Sequence, residues 1–457
     1  MLTTAHLALD DRLVGHVHFP GDPGWDEARA TFNVLVDQRP VAVAVAAGED
    51  DVVAVVRYAR EHGLRVAPQS TGHGAGSMDT LEDTILLSVA GLDDVVIDAA
   101  TCRVRVGAGV RWKQVVPQLS ELGLAALHGS SPDVGIAGYS LGGGMGWLAR
   151  RHGLQTNAVT AIEVVTADGH LVRTDPFHEP DLFWALRGGG GNFGVVTAIE
   201  FAVVPVGAVY AGRMFFPFER AREVLHAWAA LLPTAPDELM TWATILHFPE
   251  APDVPLAVRG RSFVVVMGAY LGHASQGRAL MQPMRDLAPV IDTFATVPPI
   301  GLAELAMDPR EPLPYRSTHH LLGEPTPAAI DAILATAGPE SPRGSALAMV
   351  QLRHMGGALA RSTPAAGARA TLPGEVCLFA LGVAPDAAAE AAVEAALADV
   401  REALRPYRVG DYPNFVEEPA DAGGFFDDAT WARLRAVKAL YDPEDMFRAN
   451  HRIAPAA

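Results

Sequence analysis

Residues 69–79 read QSTGHGAGSMD, a single histidine set among Gly, Ser, Thr and Ala. Glycine reaches positive φ without steric cost and lets a ligand press against the backbone. Successive small residues also leave N–H groups free to form a concave anion site. His73 is therefore either a loop histidine capping a neighbouring carbonyl or a group held against whatever the cradle binds. Two more glycine-dense stretches follow, HGSSPDVGIAGYSLGGGMG at 128–146 and RGGGGNFGVV at 187–196. None is specific alone. Together they point to one long ligand with phosphates, laid along several backbone loops.

Two of these stretches match narrower motifs whose context fails. GYSLG (138–142) fits the Gly-x-Ser-x-Gly elbow of serine hydrolases, which requires a strand before Ser140 and a stable helix after it. Here Pro132 and Gly135 break the approach, and Gly142, Gly143, Gly144 and Gly146 follow, at about 1 kcal/mol of lost helix propensity each. GGGNFG (189–194) fits the dinucleotide fingerprint, which must open a helix. The β-branched, alternating VVTAIEF that follows reads as a strand instead.

The elements that must position these loops begin with RPVAVAVAAG (39–48), a β-branched run expected to be a buried strand. EDDVVAVVRYAREHG (49–63) starts with acids and ends on Gly63, the punctuation of a helix. LRVAPQS then runs as a strand into the His73 loop, giving a βαβ unit. Beyond residue 205, strand-like runs at 261–272, 345–357 and 375–383 alternate with helical stretches at about 217–231, 274–287, 326–338 and 386–404. This reads as a second α/β unit with a mostly antiparallel sheet. The segment 430–453 reads as a helix, a Pro-punctuated turn and an extended end. The fold class expected is α+β.

The chain has 457 residues, 49% hydrophobic and 19% charged, with a formal net charge of −18. That balance argues against nucleic acid and anionic membrane surfaces, both of which attract basic patches. Two cysteines, Cys102 and Cys377, make neither a disulfide framework nor a metal cluster. The first twenty residues lack a basic region followed by an apolar core, and no apolar run approaches the ~20 residues of a membrane span. A cytoplasmic protein with no metal is expected, with a small-molecule substrate.

The order of motifs resembles the FAD-linked oxidases of the vanillyl-alcohol oxidase superfamily, in particular the berberine-bridge-enzyme-like branch with its sugar and hydroxynicotine oxidases. The resemblance rests on PQSTGHGAG, SPDVGIAGYSLGGGMGWLARRHGL, DLFWALRGGGGNFGVVTAIEF, DYPNF and VKALYDPEDMFRANHRI, in that order. It implies an FAD-binding part over about 1–205, a substrate-binding part over about 206–405 whose sheet covers the flavin ring, and a return to the FAD part over about 406–457. It implies covalent FAD on His73, cradled by Ser70, Thr71, Gly72, Gly74, Ala75, Gly76 and Ser77. From the long loop it implies contacts from Gly129, Ser130, Ser131, Val134, Gly135, Gly138, Tyr139, Gly142 and Gly143. Gly194, Val195 and Val196 would serve from the third loop, and Asn414 and Asn450 from the return.

Two departures from the family pattern matter. Many relatives attach FAD a second time, through a cysteine where this chain has Ser131, and a serine hydroxyl is no comparable nucleophile. A frequent Tyr-x-Asn-Tyr is here Tyr412, Pro413, Asn414 and Phe415, so the last phenol is missing. The resemblance also implies an oxidase: a hydride passes to the flavin, and O2 reoxidises the flavin and leaves as hydrogen peroxide, with the small Val134 leaving O2 a path and Tyr139 stabilising charge on the reduced ring. The alternatives are a dehydrogenase with another acceptor, a flavin binder without turnover, and the serine hydrolase. Tyr412 is the expected base, its pKa lowered by Arg353. Met349, Gln351 and Arg353 share one strand face by the period of two. STHH (317–320) offers His319 and His320 as loop polars or substrate contacts.

Overall fold

The computed structural model describes residues 9–78, 80–252 and 254–456. Its first part holds two main sheets, besides the two-stranded pair of Leu124–Ala125 with Val204–Pro205. Ala42–Val45, Thr84–Ser88 and Arg65–Gln69 run parallel in that order, with His16–His18 antiparallel on the outer edge. The helix Glu49–His62 makes the crossover. Its Val52, Val55, Val56 and Ala59 are fully buried, the spacing of one helix face. Asp51 sits in its first turn and accepts N–H groups from Val14, Gly15 and Ala47, tying the edge strand to the helix start. Gly63 ends it at φ 64, a left-handed cap that glycine reaches freely.

The second sheet is five-stranded and antiparallel, in the order Val95–Asp98, Arg103–Gly107, Val195–Ala202, Val159–Val165, Leu171–Thr174. Both sheets and the helix between them share one apolar core, in which Val66, Ile85, Val106, Ile162 and Ile199 are almost wholly buried.

The third sheet has nine strands, and all its pairings are antiparallel. Its centre is Ser262–Tyr270, Leu239–His247, Met349–His354, Val376–Val383 and Tyr315–Leu322, neighbours in that order. One face packs on the helices Ala221–Leu231, Pro327–Ala337 and Ala387–Leu404 through residues such as Val264, Val350, Leu352, Leu378 and Ala380. The alternate residues look the other way, where Met240, Trp242 and Met267 pack on Leu127, Trp147 and Leu148 of the glycine-rich segment. The short strand Arg408–Gly410 still pairs with Leu321 and Leu322. The chain then returns to the first sheet, where Val66 bridges Phe447 in parallel.

Two local expectations are corrected. The helix expected over 274–287 is broken into Ala274–Leu280 and Gln282–Arg285, with Pro283 in the first turn of the second piece. Proline lacks the N–H a continuous helix would need there. His319 and His320 are not loop residues: both lie in the strand Tyr315–Leu322 and are buried. Among the described residues no helix is long and apolar enough to cross a membrane.

Candidate functional site

The strand Arg65–Gln69 delivers the chain to the His73 loop. Gly72 has φ +68, and a Cβ there would press on Thr31 at 3.1 Å, so the turn needs glycine. His73 stacks on Phe32 with ring centroids 4.1 Å apart. Its Nδ1 lies 2.8 Å from Thr71 Oγ1, while Nε2 is buried with no partner. Burial pulls the imidazole pKa down to about 4, helped by the Arg111 charge and opposed by Asp133. The ring is therefore neutral at pH 7. Ser70 Oγ is also buried without a partner, and Ser77 Oγ donates to Gly74 O at 2.8 Å.

The 128–146 segment lies against this loop. A Cβ on Gly135 would meet Ser70 Oγ at 2.8 Å, whereas a Cβ on Gly138 would meet nothing within 4 Å. Ser131 Oγ accepts the Asp133 N–H at 3.4 Å, Ser130 is buried, and Val134 packs at the margin of the main core. Ser140 is inside a helix, Ile136–Gly142, and its hydroxyl donates to Ile136 O at 2.7 Å. The helix stops at Gly142, with Gly143 turning at φ +141, so no helix runs on from Ser140, as the glycines led one to expect; the serine is also buried and spent on its own backbone, so the context of a nucleophile elbow is missing. Gly129 packs on the Tyr139 ring, and a Cβ on it would meet Tyr139 Cε2 at 3.1 Å.

Tyr139 and Tyr412 differ from expectation. The Tyr139 hydroxyl donates to Leu127 O at 2.9 Å, which commits its only proton and leaves none for a reduced ring. Tyr412 Oη accepts N–H groups from Gly144 at 2.9 Å and Met145 at 3.0 Å. Burial raises its pKa above the ordinary phenol value; those two N–H groups and Arg353 pull the other way but do not win. A base would have to be the phenolate, which this site disfavours. The geometry suits a neutral phenol that anchors the loop and keeps its own proton to donate.

Residues 411–415 and 446–453 close the cradle from outside. Asn414 Nδ2 donates to Tyr139 O at 3.0 Å, and its amide occupies the space a Gly142 side chain would need. Gly143 turns at φ +141 beside the Tyr412 ring. Asn450 donates to Gly74 O, and Gly76 faces the Glu417 carbonyl at 2.6 Å from where its Cβ would stand. Ala75 and Ser77 are buried in the short turn between them. Val195 and Val196 open the strand Val195–Ala202, pair with Val165 and Val164 and are buried in the core; Gly194 precedes that strand, and a Cβ on it would meet Val164 at 2.5 Å. Asn192, two residues earlier, is the polar member of that loop, holding Gly189 O, His451 O and the Ile453 N–H.

On the facing sheet, Gln351 and Arg353 do point toward these loops, as their alternation with the helix-facing Val350 and Leu352 requires. Arg353 Nε donates to Gln351 Oε1 at 2.6 Å. Its guanidinium lies over the rings of Trp242, at 4.1 Å, and Phe415, at 4.7 Å. Met349 is on the same face, farther out and only half-buried. His319 Nε2 accepts the Tyr412 N–H at 3.3 Å and lies 3.4 Å from Asp411. His320 points to the opposite, helix-covered face, with both nitrogens unpartnered and its pKa pulled down to about 4 by burial.

Sequence reasoning missed several residues. Trp147 stacks on Trp242 at 3.7 Å, joining the glycine-rich segment to the sheet; a tryptophan directly after GGGMG was the available signal. Glu417 accepts the Tyr315 O–H at 2.8 Å, and burial pushes its carboxyl up to about 7. Lys438 is fully buried, held by Asn192 O at 2.7 Å, Asp442 at 2.5 Å and Asp445 at 3.2 Å. Nothing in a lone lysine within a helical pattern announces that role.

Comparison with known proteins agrees with this architecture. Residues 40–175 match the FAD binding domain family. An uncharacterised FAD-linked oxidoreductase of Bacillus subtilis (strain 168), YvdP, is 28% identical over 97% of this chain and 99% of its own length. The (R)-6-hydroxynicotine oxidase of Paenarthrobacter nicotinovorans is 36% identical over 43% of each chain. The crystal structure of 6-hydroxy-D-nicotine oxidase from Arthrobacter nicotinovorans superposes with a TM-score of 0.83, covering 97% of this chain and 98% of that one at 24% identity.

Proposed function

We propose that this chain, an FAD-linked oxidoreductase with an FAD binding domain at 40–175, is an oxidase of a small alcohol, sugar or amine, with its cofactor bonded to His73 and O2 as electron acceptor. The cradle fits that cofactor. His73 Nε2 and Ser70 Oγ are buried polar atoms with no partner among the described residues, a state that native structures avoid unless a ligand completes it. In the segment that packs on Ser70 through Gly135, a Cβ on Gly138 would meet nothing within 4 Å.

When bound, FAD supplies the hydride acceptor and the route for two electrons to O2. The protein supplies position. Neutral His73 would bond the cofactor through Nε2 in the tautomer whose Nδ1 proton goes to Thr71 Oγ1, 2.8 Å away. Ser131 gives no second bond. Tyr412 and Asn414 lock the 139–145 backbone beneath the sheet, and Trp147 against Trp242 keeps water out of the gap. Tyr412, a neutral phenol, keeps its own proton and does not abstract the substrate's.

The observation that carries this reading is the neutral, partnerless Nε2 of His73. Protein precipitated in acid should stay yellow, and His73→Ala should release all of its flavin under the same treatment. Flavin reduced anaerobically by substrate should reoxidise in air with stoichiometric hydrogen peroxide. Reoxidation only by artificial dyes would make the protein a dehydrogenase.

A further inference from the structure

Arg353 is a buried cation without an anion. The residue is 5% exposed, and its guanidinium is held between the rings of Trp242 and Phe415. Nε is committed to Gln351 Oε1. Among the described residues no carboxylate pairs with it, and no carbonyl accepts from its two terminal nitrogens. The ionisable groups that act on it are Cys377, Asp308, Tyr412 and Tyr139. Burial pushes the Cys377 thiol up to about 12 and raises both phenols, so these three are neutral at pH 7. Asp308 favours the charged guanidinium through space but forms no direct ion pair with it. Arginine stays protonated in proteins, and burying a charge with no direct counter-charge is costly.

Its surroundings repeat the same chemistry. Trp242 is the cross-strand partner of Arg353, and Thr244 is that of Gln351. The Trp242 indole N–H and the Thr244 hydroxyl are both buried without a hydrogen-bond partner. The patch is thus rich in unused donors, and Phe415 and Phe379, which pack on each other beside it, are aromatic; Trp242, covered by Trp147 on one face and Arg353 on the other, offers only its indole N–H. Because Gln351 takes the Nε side, the free edge of the guanidinium is the pair of parallel N–H groups that fits a carboxylate in bidentate fashion.

We infer that the substrate of this enzyme carries, besides the alcohol or amine carbon that gives up the hydride, a carboxylate that docks on the free edge of Arg353, beside Phe415 and Phe379. The inference rests on the oxidase reading, which makes this sheet face the one that meets substrate. A carboxylate and the cofactor's own anionic edge share the chemistry that would neutralise Arg353, and the experiment separates them.

Purified flavin-loaded protein is titrated with benzoate, phenylacetate and picolinate, each beside its uncharged amide, and the flavin difference spectrum is followed. At least one acid should bind saturably and at least tenfold more tightly than its amide. Arg353→Met should abolish that preference, with flavin content and melting temperature confirming an intact protein, and Arg353→Lys should restore only part of it. The inference is overturned if no acid outbinds its amide, or if Arg353→Met keeps the preference. It is also overturned if the variant shifts the flavin reduction potential without any effect on acid binding, since Arg353 would then serve the cofactor. Protein that carries no flavin at all would instead refute the oxidase reading.

Discussion

The two surfaces that meet at the site are built by opposite means. The cradle of residues 70–77 and 128–146 is made of backbone: glycines at Gly72, Gly143 and Gly144 turn at positive φ, and side chains from the return segment press where a Cβ would be. The facing sheet is made of side chains, with Trp242, Thr244, Gln351 and Arg353 projecting from regular strands. Backbone surfaces fit a fixed ligand closely and tolerate no added atom. A sheet face can change its side chains while its ladder stays intact, which is how a fold keeps a cofactor and varies a substrate.

The sharpest test of this contrast adds one methyl group to the cradle. A Cβ on Gly146 would collide with the His128 carbonyl, a backbone atom that cannot rotate away. Gly146→Ala should cost about 3–5 kcal/mol and yield protein without flavin, measured by denaturant unfolding and absorbance. The bridge between the two surfaces should be next. Tyr412→Phe strands the N–H groups of Gly144 and Met145, at roughly 1–3 kcal/mol for the buried pair. It should slow anaerobic flavin reduction without moving the pH profile, because no base is removed; a lost acidic limb would restore the phenolate reading.

A pH series probes burial on the sheet side. Burial lowers His320 to about 4 and His354 to about 3. With folded values below the ordinary ~6.5, the unfolded chain binds more protons between about pH 6.5 and pH 4. Stability should therefore fall as pH drops through that window. Melting temperature should decline on acidification, and His320→Leu, which removes one such ring, should flatten the slope. Thr244→Val should give the smallest effect, within about 1 kcal/mol of neutral or slightly stabilising, since its buried hydroxyl has no partner to lose. A large loss would mean that the sheet face is as unforgiving as the cradle.

What was legible in the sequence follows the same division. Glycine density exposes a backbone cradle directly, so the His73 loop, the long loop and the helix with its acidic start were all readable. The shared face of Gln351 and Arg353 followed from strand alternation alone. The pairing of Trp242 with Arg353 and of Thr244 with Gln351 was not readable, because register joins strands more than a hundred residues apart. Tyr139 and Tyr412 were misjudged for a related reason: whether a phenol is free depends on backbone groups brought to it by distant chain, Leu127 in one case and Gly144 and Met145 in the other. Lys438 and Glu417 take their roles wholly from burial.

The bridge between Val66 and Phe447 bears on how the polypeptide is made. Arg65–Gln69 is the last strand of its sheet, and its outer edge is met by residues 446–448: Val66 donates to Met446 O, and Arg448 donates to Val66 O. On the ribosome that edge is synthesised long before its cover. Through most of translation a strand carrying Val66 and Ala67 presents unpaired backbone groups, the template that promotes aggregation. Protection of that edge from misassembly therefore waits for a late event, the docking of residues 446–448. A nascent chain stalled before that point should bind holdase chaperones.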